Sequence, residues 1–541
     1  MRRNLEIPQG RRTPLYRFLE VLPGLISYGA IILLFLLSWL DPVLGSIYLF
    51  VIIASTLVKA ISVAYRTVQG YEVIKSAERV DWRGRMEDLS HPHESFERLR
   101  DDDNKSYHFN EHVENLKLMS AMRADYPDPA KIYHAVIVAA YNEGIEVLDP
   151  SIKAIENNTF PSDHIMVILA YEERGGEAME QTARALRSKY KNLFKDFLLV
   201  KHPDNLPGEI VGKGPNLTYA GEELARYVEK KHLPVGNIIV TSLDSDNRMH
   251  EKYLDSVAYE FVTHPNRQRL SYQPVSLFMN NIWDAPAPTR VIAVSNSFFN
   301  VISTMRPHSL RNFASHSQPL QALEAMDFWS KRTIVEDGHQ YWRSLFFFDG
   351  DYAVLPIRIP IYQDAVISET FWKTVKAQFV QVRRWYYGAS DVAYVGSRLF
   401  TKRDKRIVPF WQLFPKFWRL LDGHVTLAIM APLITFGGWI PMIINYSSHD
   451  MIAYNLPNIV SWVETLAMVG LVATVLVSFR MLPKRPAKYR KGRNLLMLLQ
   501  WVLMPITSIL YQSLAAYYAQ TRLMLGKYME KFDVTRKVVK K

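Results

Sequence analysis

Asn237-Ile238-Ile239-Val240-Thr241-Ser242-Leu243-Asp244-Ser245-Asp246 sets an uncharged apolar run directly against two aspartates one residue apart. The run reads as a buried strand. Its end places both carboxylates at the carboxyl edge of a sheet, where α/β proteins bind ligands. The spacing suits a hard divalent cation, Mg²⁺ or Mn²⁺, that carries a diphosphate, because such ions accept one or two carboxylates and take phosphate oxygens for the rest. An isolated Asp-x-Asp is more often a turn or a solvated loop, so the surrounding chain decides its meaning.

Upstream, strands and helices alternate from Tyr133. The apolar run Ala135 to Ala140 ends in Tyr141-Asn142-Glu143-Gly144, and a helical stretch, Ile145 to Asn157, leads to the strand Ile165 to Ala170. Met179 to Tyr190 and Leu217 to Lys231 read as helices, with Phe197 to Val200 as the strand between them. This βαβα order predicts a mostly parallel sheet with right-handed crossovers and one polar rim. Four clusters fall on that rim: Tyr141-Asn142-Glu143, Glu172-Glu173, Lys213 within Gly212-Lys213-Gly214, and Asp244 with Asp246.

Outside this region the chain changes character. Residues 1–65 hold a basic lead-in and two apolar runs, Gly24 to Leu40 and Val43 to Val58, joined by Asp41-Pro42. Each approaches the ~17 to 25 residues a bilayer-spanning helix needs, and no small-residue cleavage site marks the first as a signal peptide. Residues 66–130, with Asp101-Asp102-Asp103, read as a solvated helical linker. Within 401–423, Phe410, Trp411, Phe414, Phe417, Trp418 and Leu421 lie at helical spacing among cations, the pattern of a helix lying in the membrane interface. Three apolar blocks follow in 424–521: His424 to Asn445, Val460 to Phe479 with Glu464 near its outer end, and Leu495 to Ala519 interrupted by Pro505. Five crossings from a cytoplasmic start would leave the basic tail 522–541 (Arg522, Lys527, Lys531, Arg536, Lys537, Lys540, Lys541) outside, against the positive-inside trend. A re-entrant or interfacial last block is the alternative.

Composition narrows the classes. The 541 residues contain no cysteine, which excludes disulfides, thiolate nucleophiles and Cys-ligated metals. The net charge of +12 gathers beside the apolar blocks, as with Arg2, Arg3, Arg11, Arg12 and Arg17, or Lys484 to Arg493. That distribution faces anionic lipid, with no nucleic-acid partner expected.

Two motifs remain. Ile334-Val335-Glu336-Asp337 places an acidic pair after an apolar stretch, and Gln381-Val382-Arg383-Arg384-Trp385 follows on an amphipathic segment. With these in place, 131–400 resembles the membrane-embedded, often processive family 2 glycosyltransferases, the group that contains cellulose, hyaluronan and chitin synthases. The ordered set Tyr-Asn-Glu, Gly-Lys-Gly, Asp-Ser-Asp, Glu-Asp and Gln-x-x-Arg-Trp carries the resemblance.

The resemblance implies a cytoplasmic α/β domain of GT-A type, Rossmann-like, flanked by transmembrane α-helices in an integral membrane protein. It implies that Asp246 ligates Mg²⁺ or Mn²⁺ with Asp244 beside it on the nucleotide. Tyr141, Asn142, Glu143, Glu172, Glu173 and Lys213 cradle a UDP-sugar. Asp337, partnered by Glu336, is the general base, while Gln381, Arg384 and Trp385 form the acceptor and diphosphate platform. His339 is expected behind the site. Direct displacement inverts the anomeric carbon and needs no covalent nucleophile. The acceptor is a growing polysaccharide in one reading and a lipid phosphate or glycolipid taking a single sugar in the other. A catalytically silent membrane scaffold would not need Asp246 and Asp337 together. The sequence departs from the family at Tyr171-Glu172-Glu173-Arg174, where an aspartate-rich pair is usual, and in lacking a Gly-Asp-Arg element around Ser309 to Gln318. Oligomeric state is not legible.

Overall fold

Uncharged runs form the centre of an eight-stranded sheet in the computed structural model, which describes residues 4–446 and 451–531, excepting the side chains of 452–453, 463–464, 466–471 and 473. The Glu464 side chain and the tail cations Arg536, Lys537, Lys540 and Lys541 lie outside the described residues. The strands are β1 (Tyr133–Ala140), β2 (Ile165–Glu172), β3 (Asp196–His202), β4 (Ile238–Asp244), β5 (Arg248–Met249), β6 (Leu270–Leu277), β7 (Ser317–Pro319) and β8 (Ala353–Tyr362), in the order β3-β2-β1-β4-β7-β6-β8-β5. The half from β3 to β4 is parallel throughout. β1 and β2 are almost wholly buried because helices cover both faces, as a parallel sheet requires.

The other half keeps the sheet mostly parallel but adds two short antiparallel strands. β7 runs antiparallel to both β4 and β6, and β5 runs antiparallel to β8, so the sheet is mixed. β6 and β8 pair in parallel across a register shift at Pro274/Val275. Both strands carry prolines, which cannot donate to a ladder and break its regularity.

Four helices among the described residues are long and apolar enough to cross a membrane: Pro14–Leu40, Pro42–Arg79, Phe410–Phe436 and the run Arg493–Met524. The second continues well past its apolar part. Beyond it, Ala77, Val80, Trp82, Met86 and Leu89 pack into the core under the sheet, so the charged 66–130 segment clasps the sheet domain. The interface segment and the block after it form one helix, Phe410–Phe436. Its Leu413, Phe417, Leu420 and Leu421 pack against Tyr341, Trp342 and Tyr394 of the sheet domain, while Trp411 and Trp418 remain exposed.

The last apolar run tightens to a 3₁₀ turn at Gln500–Leu503 and widens to a π turn at Ser508–Ser513, on either side of Pro505, which cannot supply a helical N–H. Both of its ends meet the sheet domain. Arg493 donates to the Trp283 carbonyl at 2.9 Å, and Arg290 Nε donates to Gln500 Oε1 at 2.6 Å. At the other end Met529 N donates to Tyr387 Oη at 3.1 Å, and Lys531 forms a parallel bridge with Val211. The described part of the basic tail therefore packs against the sheet domain.

Candidate active site

The carboxyl ends of β1, β2 and β4 open into a cavity of about 390 Å³. Backbone geometry brings the rim together. Gly175 approaches Tyr141 so closely that a Cβ there would lie 1.9 Å from the Tyr141 carbonyl oxygen, which holds the β2 end against the β1 end. Glu143 accepts from the Tyr141 and Asn142 amides at 2.7 and 3.2 Å and from Ser245 Oγ at 3.1 Å, bracing the first loop to the Asp-Ser-Asp loop.

Lys213 stands at the start of the helix Lys213–Lys230, whose amino end faces the cavity and suits an anion. Its Nζ lies 2.8 Å from Asp244 Oδ1, 3.2 Å from Asp337 Oδ1 and 3.5 Å from Glu336 Oε1. Gly214 is required beside it, since a Cβ would meet the Ser330 carbonyl oxygen at 2.3 Å. Burial alone would lower the Lys213 pKa, but Asp244, Asp337 and Glu336 together raise it above its ordinary value.

Burial and the Asp337 charge push Glu336 well above the usual carboxylate range, with Lys213 opposing. The pair is thereby divided. Glu336 is 3% exposed and Asp337 20%, so of the two lining carboxylates Asp337 is the more accessible. Asp246 Oδ2 accepts from the Asp364 amide at 3.1 Å, fixing its orientation from the loop after β8.

Tyr141, Glu143, Glu172, Asp244 and Asp246 all line the cavity, together with Gln381, Arg384 and Trp385 from the helix Phe371–Tyr386. Trp385 packs at 6.1 Å on Phe278. Two of the expected donor residues are not brought in. Glu173 turns away to accept from the Asp204 amide and to pair with Lys201, because consecutive residues at a strand end point to opposite faces. Asn142 is exposed outside the lining. Glu172, in the lining, is paired with Arg174, whose guanidinium also stacks over the Tyr141 ring at 4.8 Å.

Among the lining residues that escape the sequence reading are Arg311, Asp364, Asp391 and His424. They come from separate segments that only the tertiary fold unites, and none sits in a motif. His339, buried behind the wall, bonds Asp391 at 2.6 Å through Nδ1 and positions it.

The donor set fits a divalent cation in part. Asp244 and Asp246 share the cavity, yet no group of three metal-ligating side chains occurs among the described residues, so diphosphate oxygens and water would have to complete the shell.

No family model matches the chain, and neither does any curated protein sequence. Among solved structures it aligns with a mannosyltransferase from Pyrobaculum calidifontis in complex with GDP-Man and Mn2+ at 13% identity, over 81% of this chain and 100% of that one, with a TM-score of 0.40. It also aligns with TarS from S. aureus in complex with UDP-GlcNAc at 12% identity, over 73% and 93% of the two chains, with a TM-score of 0.35. Likeness at this level carries no weight for fold or chemistry, which rest on the residues themselves.

Proposed function

We propose that the protein is a membrane-embedded inverting glycosyltransferase that moves a sugar from a UDP-sugar to an acceptor hydroxyl, repeatedly, so that a polysaccharide grows at the membrane face and leaves along the apolar helices. One observation carries the reading: Lys213 joins Asp244 of the donor loop to Glu336 and Asp337 of the second acidic motif, in a cavity that Gln381, Arg384 and Trp385 also line.

The nucleotide lies along Tyr141 and Glu172, with its diphosphate between Lys213 and Arg384. A phosphate arriving there competes with Asp337 for the Lys213 ammonium and frees the carboxylate. Asp337 then takes the proton of the acceptor hydroxyl as its oxygen attacks the anomeric carbon, the bond from that carbon to the diphosphate oxygen breaks, and UDP leaves against the two cations. Burial and the Asp337 charge raise the Glu336 pKa, which reduces the negative charge it sets beside the base. Asp244 and Asp246 would hold Mg²⁺ or Mn²⁺, which supplies charge neutralisation to the departing diphosphate.

UDP release by purified protein in nanodiscs, compared across UDP-sugars with Mn²⁺ present, tests this. Asp337→Asn is expected to cut turnover by ~10² to 10⁴-fold. Release unchanged in that variant, or absent with every donor, overturns the assignment; products bearing one added sugar only would remove the processive part.

A further inference from the structure

One helix, Glu336–Phe347, supplies more to the cavity than the acidic pair of its first turn. His339, two residues after Asp337, is buried and bonds Asp391 Oδ1 at 2.6 Å through Nδ1, while its Nε2 meets no partner among the described residues. The ring proton therefore sits on Nδ1, and Asp391 accepts. Trp342 follows three residues later on the same face, also buried, and the Arg311 guanidinium lies over its ring at 5.7 Å. Arg311 and Asp391 both line the cavity that Asp337 lines. The helix that carries the base thus also fixes a guanidinium and a carboxylate of the same chamber.

Neither group is used up by the fold. Among the described residues Arg311 makes no hydrogen bond and has no carboxylate within ion-pair distance, so the stacked indole is what holds it. Asp391 gives Oδ1 to His339, and no donor among the described residues bonds its Oδ2. Burial lowers the Arg311 pKa and the Asp391 charge raises it, so the two charges offset each other without pairing. Donors and an acceptor in one cavity, with no net charge between them, suit adjacent hydroxyls of an uncharged sugar, because a hydroxyl both donates and accepts. A sugar acid would set a second carboxylate near Asp391.

Resting on the glycosyltransferase reading, we infer that Arg311 and Asp391 read the acceptor: the guanidinium donates to one hydroxyl of an uncharged terminal sugar, the Asp391 carboxylate accepts from a neighbouring hydroxyl, and the ring is thereby held with a single hydroxyl at Asp337. The linkage is then set by which hydroxyl the pair leaves for the base. His339 is a positioning residue that acts through Asp391, and proton transfer remains with Asp337. Every unit of a neutral polymer carries the same hydroxyls, so after each transfer the new terminal sugar meets the same pair, as repeated addition requires.

The test uses full-length protein in nanodiscs and octyl glycosides as probes: the glucoside, galactoside and mannoside, the glucuronide, and monodeoxy analogues of whichever hexoside binds tightest. Binding is read by native mass spectrometry, and UDP release is read separately. The hexoside is expected to bind at least ~10-fold tighter than the glucuronide, and Arg311→Gln and Asp391→Asn each to weaken it by ~10-fold while affinity for UDP stays within ~2-fold. The deoxy series separates contact from structural damage. Removing the hydroxyl that Arg311 or Asp391 holds is expected to cost the unmodified protein ~10-fold and the matching variant little, a coupling that a loosened wall does not produce. His339→Gln is expected to blunt the penalty for the hydroxyl on Asp391 and to leave that for the hydroxyl on Arg311, and a melting curve checks that each variant folds. No binding by any hexoside, tighter binding of the glucuronide, or deoxy penalties identical in the variants and the unmodified protein overturns the inference. UDP release that persists beside such a result leaves the glycosyltransferase reading standing; loss of UDP release from every UDP-sugar, with hexoside binding and its deoxy pattern intact, sinks that reading instead.

Discussion

Lys213 is the residue on which the site turns, since it stands between the donor aspartate and the acidic pair. Replacing it with Met leaves Asp244, Glu336 and Asp337 facing one another, and a buried carboxylate stripped of its cation is costly. Lys213→Met is expected to lower the melting temperature and to raise the donor KM by ~10-fold or more, measured by thermal unfolding and by UDP release. An unchanged KM would remove Lys213 from diphosphate binding. The Gly-Lys-Gly loop made this residue legible in the sequence, because glycines flanking a cation ahead of a helix have a physical purpose. Glu172 against Glu173 was not legible: both are glutamates at one strand end, and only the pleat decides that the first lines the cavity and the second faces Lys201. Arg311 and Asp391 gave no signal at all, since each owes its role to segments far apart in the chain.

Elements divide in the same way. β1 to β4 were readable because each is a short uncharged run bounded by polar residues, which a sheet covered on both faces demands. β5, β7 and β8 were not, as two are only two or three residues long and the third carries Pro356 and Pro360. The helix Tyr253–Thr263 offers a test at this scale. Its Asp255 is fully buried, accepts from Thr159 Oγ1 and has Arg83 at 3.8 Å. Burial pushes it from the ordinary 3.8 up to about 6, which Thr159 and Arg83 offset only in part. A carboxyl whose folded pKa is raised favours the folded state while both states are protonated. That contribution is lost as pH rises from about 4 through about 6. Asp255→Asn is therefore expected to flatten the dependence of melting temperature on pH across that window and to be the more stable protein above pH 7, by about 2 kcal/mol. Parallel profiles for the two proteins would show that Asp255 carries no such cost.

For the whole molecule, the ends of the chain close over the domain that holds the cavity. Glu20 on the first membrane-length helix accepts from Arg12 and Arg17 at 3.0 and 2.7 Å and from Tyr528 Oη at 2.8 Å, and Met529 packs with Ile334 and Tyr387. Lys531 bridges Val211, two residues before Lys213. Truncation after Gly526 removes that bridge and is expected to raise the donor KM several-fold without abolishing turnover, again read as UDP release.

The same contacts bear on the two topologies the sequence left open, and we propose the re-entrant or interfacial one. If Arg493–Met524 crossed the bilayer, its ends would lie on opposite faces, yet Arg493 bonds Trp283 and the chain just past Met524 bonds Tyr387, both in the sheet domain. On that proposal the run lies along the membrane face; its π turn packs against Phe410–Phe436, where Ser513 Oγ donates to the Leu427 carbonyl at 3.3 Å. Because the chain has no cysteine, single-site labelling reports this directly. In sealed vesicles, Glu177→Cys, Arg490→Cys and Glu530→Cys are expected to react with a membrane-impermeant maleimide from one side, and Tyr446→Cys, at 84% exposure, from the other. Labelling of Glu530→Cys together with Tyr446→Cys would make the last run a crossing. It would also detach the tail from Val211, and with it the reason for truncation to change donor binding.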